Sequence, residues 1–481
     1  MNQSLDLAIA PEPTAIAPER PESLWRLIKE AILGSHRDFT KESMGRAILL
    51  LAVPMVLEMM GESVFAVVDI FWVGKLGPDA VATVGLTESM LTVVYALAIG
   101  LSIGATAVVA RRTGEKRPEA AARAAAQAIW LGLGLAALVA TLGIALGPRL
   151  LVAMGAPPST VAVGAGYTRM MLGGSVTVTL LFLLNAVFRG AGDASMSMRS
   201  LWLANAINML LGPFLVFGWG PFPKLGVLGA AVATTIGRGT GVLFQLYTLF
   251  RGKRRVAIRW ADLGIDLETL GSIVRIAWSA IAQIMIGMIS WVLLIRVLAS
   301  FGSVVVAGYT IAFRVVMFAL LPSWGMSNAA ATLVGQNLGA GHADRAEQAV
   351  WRAAFYNVVV LGVAGVAFVA LAGPIVSLFT DDPAVHLWGV RCLRTVAAGF
   401  LFYAYGMVVS QSFNGAGDTR TPTLINFFCF WVWEIPLAWV LSHHTGLGPQ
   451  GVFLAMTIAF CTVAVVSVAL FKRGKWKTVR L

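Results

Sequence analysis

Charged side chains are scarce in this chain. They make up 12% of its 481 residues, whereas soluble domains carry about 25%. Hydrophobic residues make up 58% of the sequence, which excludes a water-soluble globular protein and indicates one whose main partner is the lipid bilayer. The formal net charge of +12 does not indicate nucleic-acid binding, because the basic residues cluster in short loops instead of forming one exposed face.

Cysteines and catalytic motifs are also lacking. The three cysteines, Cys392, Cys429 and Cys461, lie in apolar stretches without metal-ligand spacing, so we expect them to be packing residues. The sequence shows no phosphate-binding loop, no nucleophile elbow and no zinc-ligand helix. It therefore predicts neither an enzyme nor an ATP-driven pump, and no metal or organic cofactor.

The first twenty residues contain acidic residues and prolines where a signal peptide has a basic and then an apolar segment. We expect a disordered tail there. Residues 23–35 follow, and they place Trp25, Leu27 and Ala31 on one helical face. This pattern predicts a short helix that lies on the cytoplasmic membrane surface.

Twelve apolar runs follow, each matching the roughly 20 residues that a helix needs to cross a bilayer. They predict an all-α integral membrane protein with twelve transmembrane helices and no large soluble domain. The runs cover residues 47–73, 80–109, 123–147, 161–187, 196–218, 227–250, 271–298, 304–334, 348–372, 386–411, 421–441 and 450–471.

Basic residues mark one side of the membrane. They are abundant before the first run, at 111–123, at 251–255 and at 472–480, whereas the alternate loops hold few of them. Because cytoplasmic loops of membrane proteins are enriched in Lys and Arg, we expect both termini in the cytoplasm and a multi-pass protein of the cell (inner) membrane.

The two halves of the chain repeat each other. The motif GAGD at 190–193 returns at 415–418 (415 − 190 = 225), and Gly77 and Gly302 keep the same offset (302 − 77 = 225). Each half has six runs and begins on the same side, which predicts parallel repeats with a binding site in the cleft between them. The predicted divisions are a tail with a short helix (1–45), an N-lobe (46–250), a basic linker (251–270), a C-lobe (271–471) and a basic tail (472–481).

Three carboxylates lie within the first apolar run. Glu58, Glu62 and Asp69 fall within about 40° of one another around a helix. Each costs roughly 2.5–3.5 kcal/mol inside the hydrocarbon region, so each needs a partner, water or a function. Three like charges on one apolar face favour uptake of a proton or of a hard cation such as sodium.

A structural role for these acids stays open, since buried ion pairs are weak evidence of function. In that reading they are neutralised by arginines of other apolar runs, namely Arg169, Arg314 or Arg394. Pro54, in the middle of the first run, frees a backbone carbonyl and predicts a bend that gates access to the acids.

Other polar residues within the runs are weaker candidates. Asn205 and Asn208, close together in the fifth run, either present amide oxygens to a cation or hydrogen-bond to other helices. The candidates for the substrate cavity are Glu88, Glu434, Gln283 and Asn328.

Residues 54–77 (PMVLEMMGESVFAVVDIFWVGKLG), the paired GAGD motifs and residues 333–346 (LVGQNLGAGHADRA) resemble the multidrug and toxic compound extrusion (MATE) family. The resemblance covers about residues 45–471. It implies two six-helix lobes around a V-shaped cavity. It also implies export of amphipathic, often cationic, drugs and other small molecules in exchange for protons or sodium.

The resemblance extends to single residues. Asp69 matches the first-helix aspartate of the family's coupling site, Asn208 a fifth-helix asparagine near it, and Thr234 a sixth-helix threonine. If the coupling ion is sodium, the resemblance implies that Asp69 and Asn208 of this chain hold it. The chain departs from the pattern at Gly212, where many relatives have an aspartate, and it lacks the seventh-helix glutamate of some sodium-coupled members. The absence of this glutamate favours protons. For the carboxylate missing at Gly212 two alternatives stay open: Glu58 or Glu62 replaces it, or the coupling stoichiometry differs.

Two alternatives keep the fold. One is a flippase for lipid-linked glycans, although such proteins favour a more cationic cavity than this sequence predicts. The other is a sodium-coupled exporter of a narrower substrate. A channel is less consistent with duplicated halves around a cleft, which suit alternating access. Nothing in the duplication demands more than one chain, so we expect a monomer.

Overall fold

The chain folds into membrane-spanning helices because a backbone in hydrocarbon must satisfy its hydrogen bonds within the segment. The computed structural model describes residues 23–35, 37–252 and 254–481; the predicted tail over residues 1–20 lies outside them. Within these ranges the chain forms helices and no strand. Eleven helices are long and apolar enough to cross a bilayer, and one bent helix pair makes the twelfth span, which confirms the predicted count.

The N-half, as we call α2 to α8, holds the first six spans. The helix α1 (Leu24–Leu33) precedes it and buries Leu27 and Ala31, whereas Trp25 stays exposed. The helices are α2 (Met44–Gly74), α3 (Pro78–Gly114), α4 (Pro118–Ala153), α5 (Pro158–Gly173), α6 (Ser175–Gly190), α7 (Ala194–Phe217) and α8 (Val227–Phe250), with α5 and α6 forming one span.

The C-half, α9 to α16, repeats this order. Its penultimate span consists of α14, a π-helical segment (Phe427–Glu434) and α15, and short 3-10 helices lie at Trp260–Leu263 and Lys475–Thr478. The helices are α9 (Leu267–Ala299), α10 (Ser303–Gly339), α11 (Ala343–Ser377), α12 (Pro383–Ala398), α13 (Phe400–Ala416), α14 (Arg420–Asn426), α15 (Ile435–His443) and α16 (Pro449–Lys472).

The offset of 225 residues holds in the helix boundaries. Adding it to the ends of α3 gives both ends of α10 (78 + 225 = 303; 114 + 225 = 339). The residues before these helices, Gly77 and Gly302, have φ angles of 99° and 104°, which glycine adopts at little cost. The fourth span breaks at Gly174 and the tenth at Gly399, again 225 residues apart, and the tenth bends by 56°.

The halves pack together at one end of the bundle. We call it the basic end, because the basic segments 111–123 and 472–480 lie there together with Arg254 and Arg255. A side chain on Gly114 would collide with the backbone carbonyl of Gln336 from the other half. The Gln336 amide donates to the carbonyl of Gly190 at 2.9 Å, and Arg111 donates to that of Ala416 at 3.2 Å. These contacts, which we call the seal, join the two halves at backbone distance.

Candidate functional site

The acidic stripe lies on one uninterrupted helix. α2 runs from Met44 to Gly74 through Pro54, so the proline does not end the helix. α7 and α8 of the N-half and α10 of the C-half pack against α2. The environment of each carboxylate therefore depends on which of these neighbours faces it.

Glu62 is paired with an arginine that sequence analysis missed. Arg238 of α8 is 8% exposed and lies 3.7 Å from a Glu62 carboxylate oxygen. Its guanidinium also donates to the Tyr95 hydroxyl at 3.3 Å and lies 6.0 Å from the centre of the Phe65 ring. The signal that could have found Arg238 is its position in the middle of the sixth apolar run.

Asp69 and Glu88 complete this group. Asp69 is partly exposed and has no hydrogen-bond or salt-bridge partner among the described residues, although Arg238 attracts it electrostatically. Glu88 of α3 is exposed, and the charges of Arg238, Asp69 and Glu62 all act on it. We call these four residues the charge cluster. With all of them ionised its net charge is −2 (three carboxylates and one guanidinium).

The asparagines of α7 hold helices together. Asn205 donates to the second carboxylate oxygen of Glu62 at 3.2 Å. Asn208 donates to the Thr234 hydroxyl at 2.7 Å, which ties α7 to α8. All three polar side chains are buried. The structure thus brings Asn205 to the charge cluster and pairs Asn208 with Thr234, the two residues singled out together by the family resemblance.

Glu58 belongs to a separate, fully buried network. It is 1% exposed, accepts from the Asn185 amide at 3.1 Å and lies 3.6 Å from an Arg189 nitrogen. The Gln245 amide fixes the Asn185 oxygen at 2.5 Å. The other carboxylate oxygen of Glu58 is buried and has no partner among the described residues.

The arginines proposed above as neutralising partners were the wrong ones. The stripe is paired with Arg189 and Arg238 instead of Arg169, Arg314 or Arg394. Arg394, for example, donates to the carbonyl of Val369 at 3.2 Å. Hydropathy identifies the arginines inside apolar runs, but only the packing of α6 and α8 against their neighbours selects which of them reach α2.

Among the described residues, the candidates of the C-half make no hydrogen bond or ion pair to the charge cluster. Glu434 is 2% exposed, lies at the end of the π-helical segment and accepts from the Ser290 hydroxyl at 3.1 Å. Asn328 accepts from the Gln411 amide at 2.9 Å. The Gln283 side-chain oxygen is buried without a partner among the described residues.

The duplication shows that the fold itself does not require the charge cluster. Adding 225 to Glu62, Asp69 and Glu88 gives Gly287, Leu294 and Phe313. For α8 and α16 the offset is 222. It aligns Gly226 with Gly448, the residues that precede these helices and have the same unusual backbone angles (φ 59° and 56°, ψ −136° and −137°). Arg238 then corresponds to Phe460 (238 + 222 = 460). The C-half reaches the same architecture with four uncharged residues.

Comparison with known proteins agrees with this architecture. The profile of the MatE family matches residues 54–214 and 276–440, one match in each half. A Bacillus subtilis protein named probable multidrug resistance protein YoeA is 27% identical, over 88% of this chain and 92% of its own length. A Shewanella oneidensis protein named FAD transporter is 25% identical, over 86% and 91%. A solved structure, described as the outward-facing conformation of a multidrug resistance MATE family transporter, superposes with a TM-score of 0.85 and 27% identity, covering 91% of this chain and 97% of that one.

Proposed function

Because this chain belongs to the MATE family, whose members are multi-pass membrane transporters and not enzymes, we propose that it exports amphipathic organic cations, drugs among them, in exchange for protons. The charge cluster carries this proposal. It places three carboxylates and one guanidinium inside the N-half, at positions where the duplicated half has no charge.

The net charge of the cluster makes a proton and a cargo cation competitors. Asp69 has no hydrogen-bond or salt-bridge partner among the residues that the structure describes and is partly exposed, so it is the first group available to either ligand. Binding of one lowers the affinity for the other, which is the coupling that antiport requires. Protons that enter from outside neutralise Asp69 and Glu88 and expel the cargo outward.

Arg238 keeps Glu62 from acting as a third open cation site. Its ion pair with Glu62 and the Asn205 hydrogen bond occupy both oxygens of that carboxylate. Since the pair ties α8 to α2, a change of charge on Asp69 or Glu88 alters the field that positions Arg238. We propose that α2 then bends at Pro54 and that this bend gates access to the charge cluster.

The oxygens available at the charge cluster favour protons over sodium as the coupling ion. Sodium binds best to several converging oxygens, whereas Arg238 and Asn205 already occupy the two carboxylate oxygens of Glu62. Gly212 supplies no carboxylate at the position where many relatives have an aspartate. Asp69 with Asn208 is the place that a sodium ion would occupy if the coupling ion were sodium.

We assign the basic end to the cytoplasm, because Lys and Arg accumulate on that side of membrane proteins. Both termini then lie in the cytoplasm of a cell (inner) membrane protein. In this assignment the seal closes the cytoplasmic end. One chain contains both halves of the repeat, and a monomer is therefore the proposed functional unit.

An anionic cargo is the second candidate. Arg238 provides a guanidinium in the charge cluster, and a relative is named FAD transporter. Three carboxylates beside this one arginine disfavour an anion, and the same excess of acid disfavours a lipid-linked glycan with its pyrophosphate.

Reconstituted vesicles loaded with a fluorescent organic cation test the proposal. An imposed proton gradient is expected to drive the cation across the membrane, and a sodium gradient of equal size at uniform pH is not. Transport by the sodium gradient alone would assign sodium as the coupling ion. Transport of the cation by neither gradient, together with transport of a flavin nucleotide, would replace the cationic cargo with an anionic one.

A further inference from the structure

Glu58 is a charged group that cargo binding does not use. Glu58 is 1% exposed, and its two direct partners, Asn185 and Arg189, both lie on α6. Ser200 of α7 and Gln245 of α8 contact Asn185 in turn. The amide of Gln245 donates both to Asn185 at 2.5 Å and to Ser200 at 2.7 Å. Asn185 is thereby fixed with its own amide directed at Glu58.

The arrangement is poorly suited to a purely stabilising ion pair. Arg189 approaches only one oxygen of Glu58, at 3.6 Å, and the other oxygen is buried without a partner. A buried pair contributes stability only if additional hydrogen bonds satisfy the remaining lone pairs. The unpaired oxygen is instead a ready acceptor for a proton.

The other half of the molecule shows that neutral residues fill the same places. Adding 225 to Glu58 gives Gln283, and adding 225 to Arg189 gives Asn414 (58 + 225 = 283; 189 + 225 = 414). The second correspondence lies directly beside the repeated GAGD motif. Among the described residues Gln283 and Asn414 make no hydrogen bond to each other, and Asn414 donates to Gln411 instead. Neutral residues at these two positions are therefore compatible with the helix packing, and the charges of the N-half need another explanation.

Glu58 also lies between the charge cluster and the seal. It is one helical turn from Glu62 on α2, about 6 Å along the axis, a separation that one water molecule can bridge. On its other side Arg189 directly precedes Gly190, whose carbonyl accepts the cross-half hydrogen bond from Gln336. Opening of the basic end separates Gly190 from Gln336 and so exposes the surroundings of Arg189 to water.

We propose that Glu58 is the internal relay for the transported proton, receiving it from Glu62 and releasing it at the basic end; this rests on the proposed proton-driven export. In the first step a proton taken up by Asp69 or Glu88 passes to Glu62, which leaves Arg238 for as long as it is a carboxylic acid. Glu62 then gives this proton to the unpaired oxygen of Glu58 and becomes a carboxylate paired with Arg238 again. In the second step Glu58 gives the proton to water at the opened basic end and becomes a carboxylate paired with Arg189.

The charges that act on Glu58 fit this sequence. Glu62 acts on it from its own helix and Arg189 from α6. The residues of α7 and α8 in this network, Ser200 and Gln245, are uncharged and reach Glu58 only through Asn185. Negative Glu62 favours a proton on Glu58, whereas Arg189 favours its release, so the two steps respond to two different neighbours.

The test is the double variant Glu58→Gln with Arg189→Asn, which installs the neutral pair that the C-half carries and leaves no buried charge alone. Two rates are measured in vesicles: net cation transport driven by a proton gradient, and exchange of labelled for unlabelled cation at equal pH. Exchange needs no net proton movement. Net transport is expected to fall about a hundredfold, the range of an assisted proton transfer, while exchange continues.

Three results would overturn the relay. Net transport at the wild-type rate would make the pair structural. Loss of both activities in a folded variant, shown by retained cation binding, would place Glu58 in the conformational change instead. Loss of cation binding would place it in the cargo site. Failure of the wild-type protein to respond to a proton gradient would refute the proposed function itself, independently of the variant.

Discussion

Replacing Arg238 with Gln tests whether the arginine controls the charge of the site. The substitution changes the cluster from −2 to −3 and frees a Glu62 oxygen that now lies 3.7 Å from the guanidinium. Two unit charges about 4 Å apart attract each other by about 4 kcal/mol at an effective dielectric constant of 20. Glu62 is 36% exposed, so solvent screening reduces this to about 2 kcal/mol.

We therefore expect Arg238→Gln to bind an organic cation more tightly by roughly tenfold or more, since about 1.4 kcal/mol corresponds to a factor of ten. Affinity is measured by fluorescence polarisation of a cationic dye with the purified protein at fixed pH and salt. Tighter binding should not make export faster, because protons displace a cation held by Glu62 less easily.

The double variant Arg238→Gln with Glu62→Gln is the matched control. It restores the net charge of −2 and leaves Asp69 and Glu88 in place, so its affinity should return toward that of the wild type. The difference between single and double variants isolates the interaction of the pair. A folded Arg238→Gln protein that binds the cation more weakly would refute this reasoning and show that the arginine contacts the cargo.

Two further predictions concern the basic end. Trp476 is fully buried, and its ring lies 4.5 Å from that of Phe471, so Trp476→Ala should destabilise the packing of the C-terminal tail by about 3–5 kcal/mol. Lys477→Ala removes only partly exposed ion pairs to Asp344 and Glu347 and should cost under about 1 kcal/mol. Equal shifts of the two variants in thermal unfolding would contradict this difference. Gly114→Ala should disfavour the sealed state by about 1–3 kcal/mol, because the added methyl group clashes with the Gln336 carbonyl. The measurement is labelling of a cysteine introduced at Thr113, in a background without the three native cysteines. Labelling should rise in Gly114→Ala and stay unchanged in Gly134→Ala, where the added methyl group meets open space.

Hydropathy predicted the spans because helices in lipid must be long, apolar and internally hydrogen-bonded. The predicted run 304–334 became α10 at Ser303–Gly339. The added residues continue the helix past the most apolar segment into the seal, where packing rather than hydropathy decides its end. Likewise the break at Gly399 and the π-helical segment Phe427–Glu434 lie inside runs that hydropathy predicts as single spans, because hydropathy reports length and composition and not the local geometry of the helix.

The site was predicted less completely. Helical periodicity placed Glu58, Glu62 and Asp69 on one face, because their spacing on a single helix fixes their relative directions. It could not show that Glu58 is sealed inside the N-half while Glu62 is partly exposed. Nor could it select Arg189 and Arg238, since partners on other helices depend on how each helix is rotated about its own axis.

The most direct test of the central claim, that the charge cluster couples cation export to protons, is the vesicle assay with Asp69→Asn. Asparagine keeps the size of the side chain and removes its ability to carry a proton. The control is Asp381→Asn, which changes an exposed aspartate in the loop between α11 and α12. We predict that a proton gradient drives cation transport by the wild type and by Asp381→Asn, but not by Asp69→Asn. Proton-driven transport by Asp69→Asn at the wild-type rate would contradict the account.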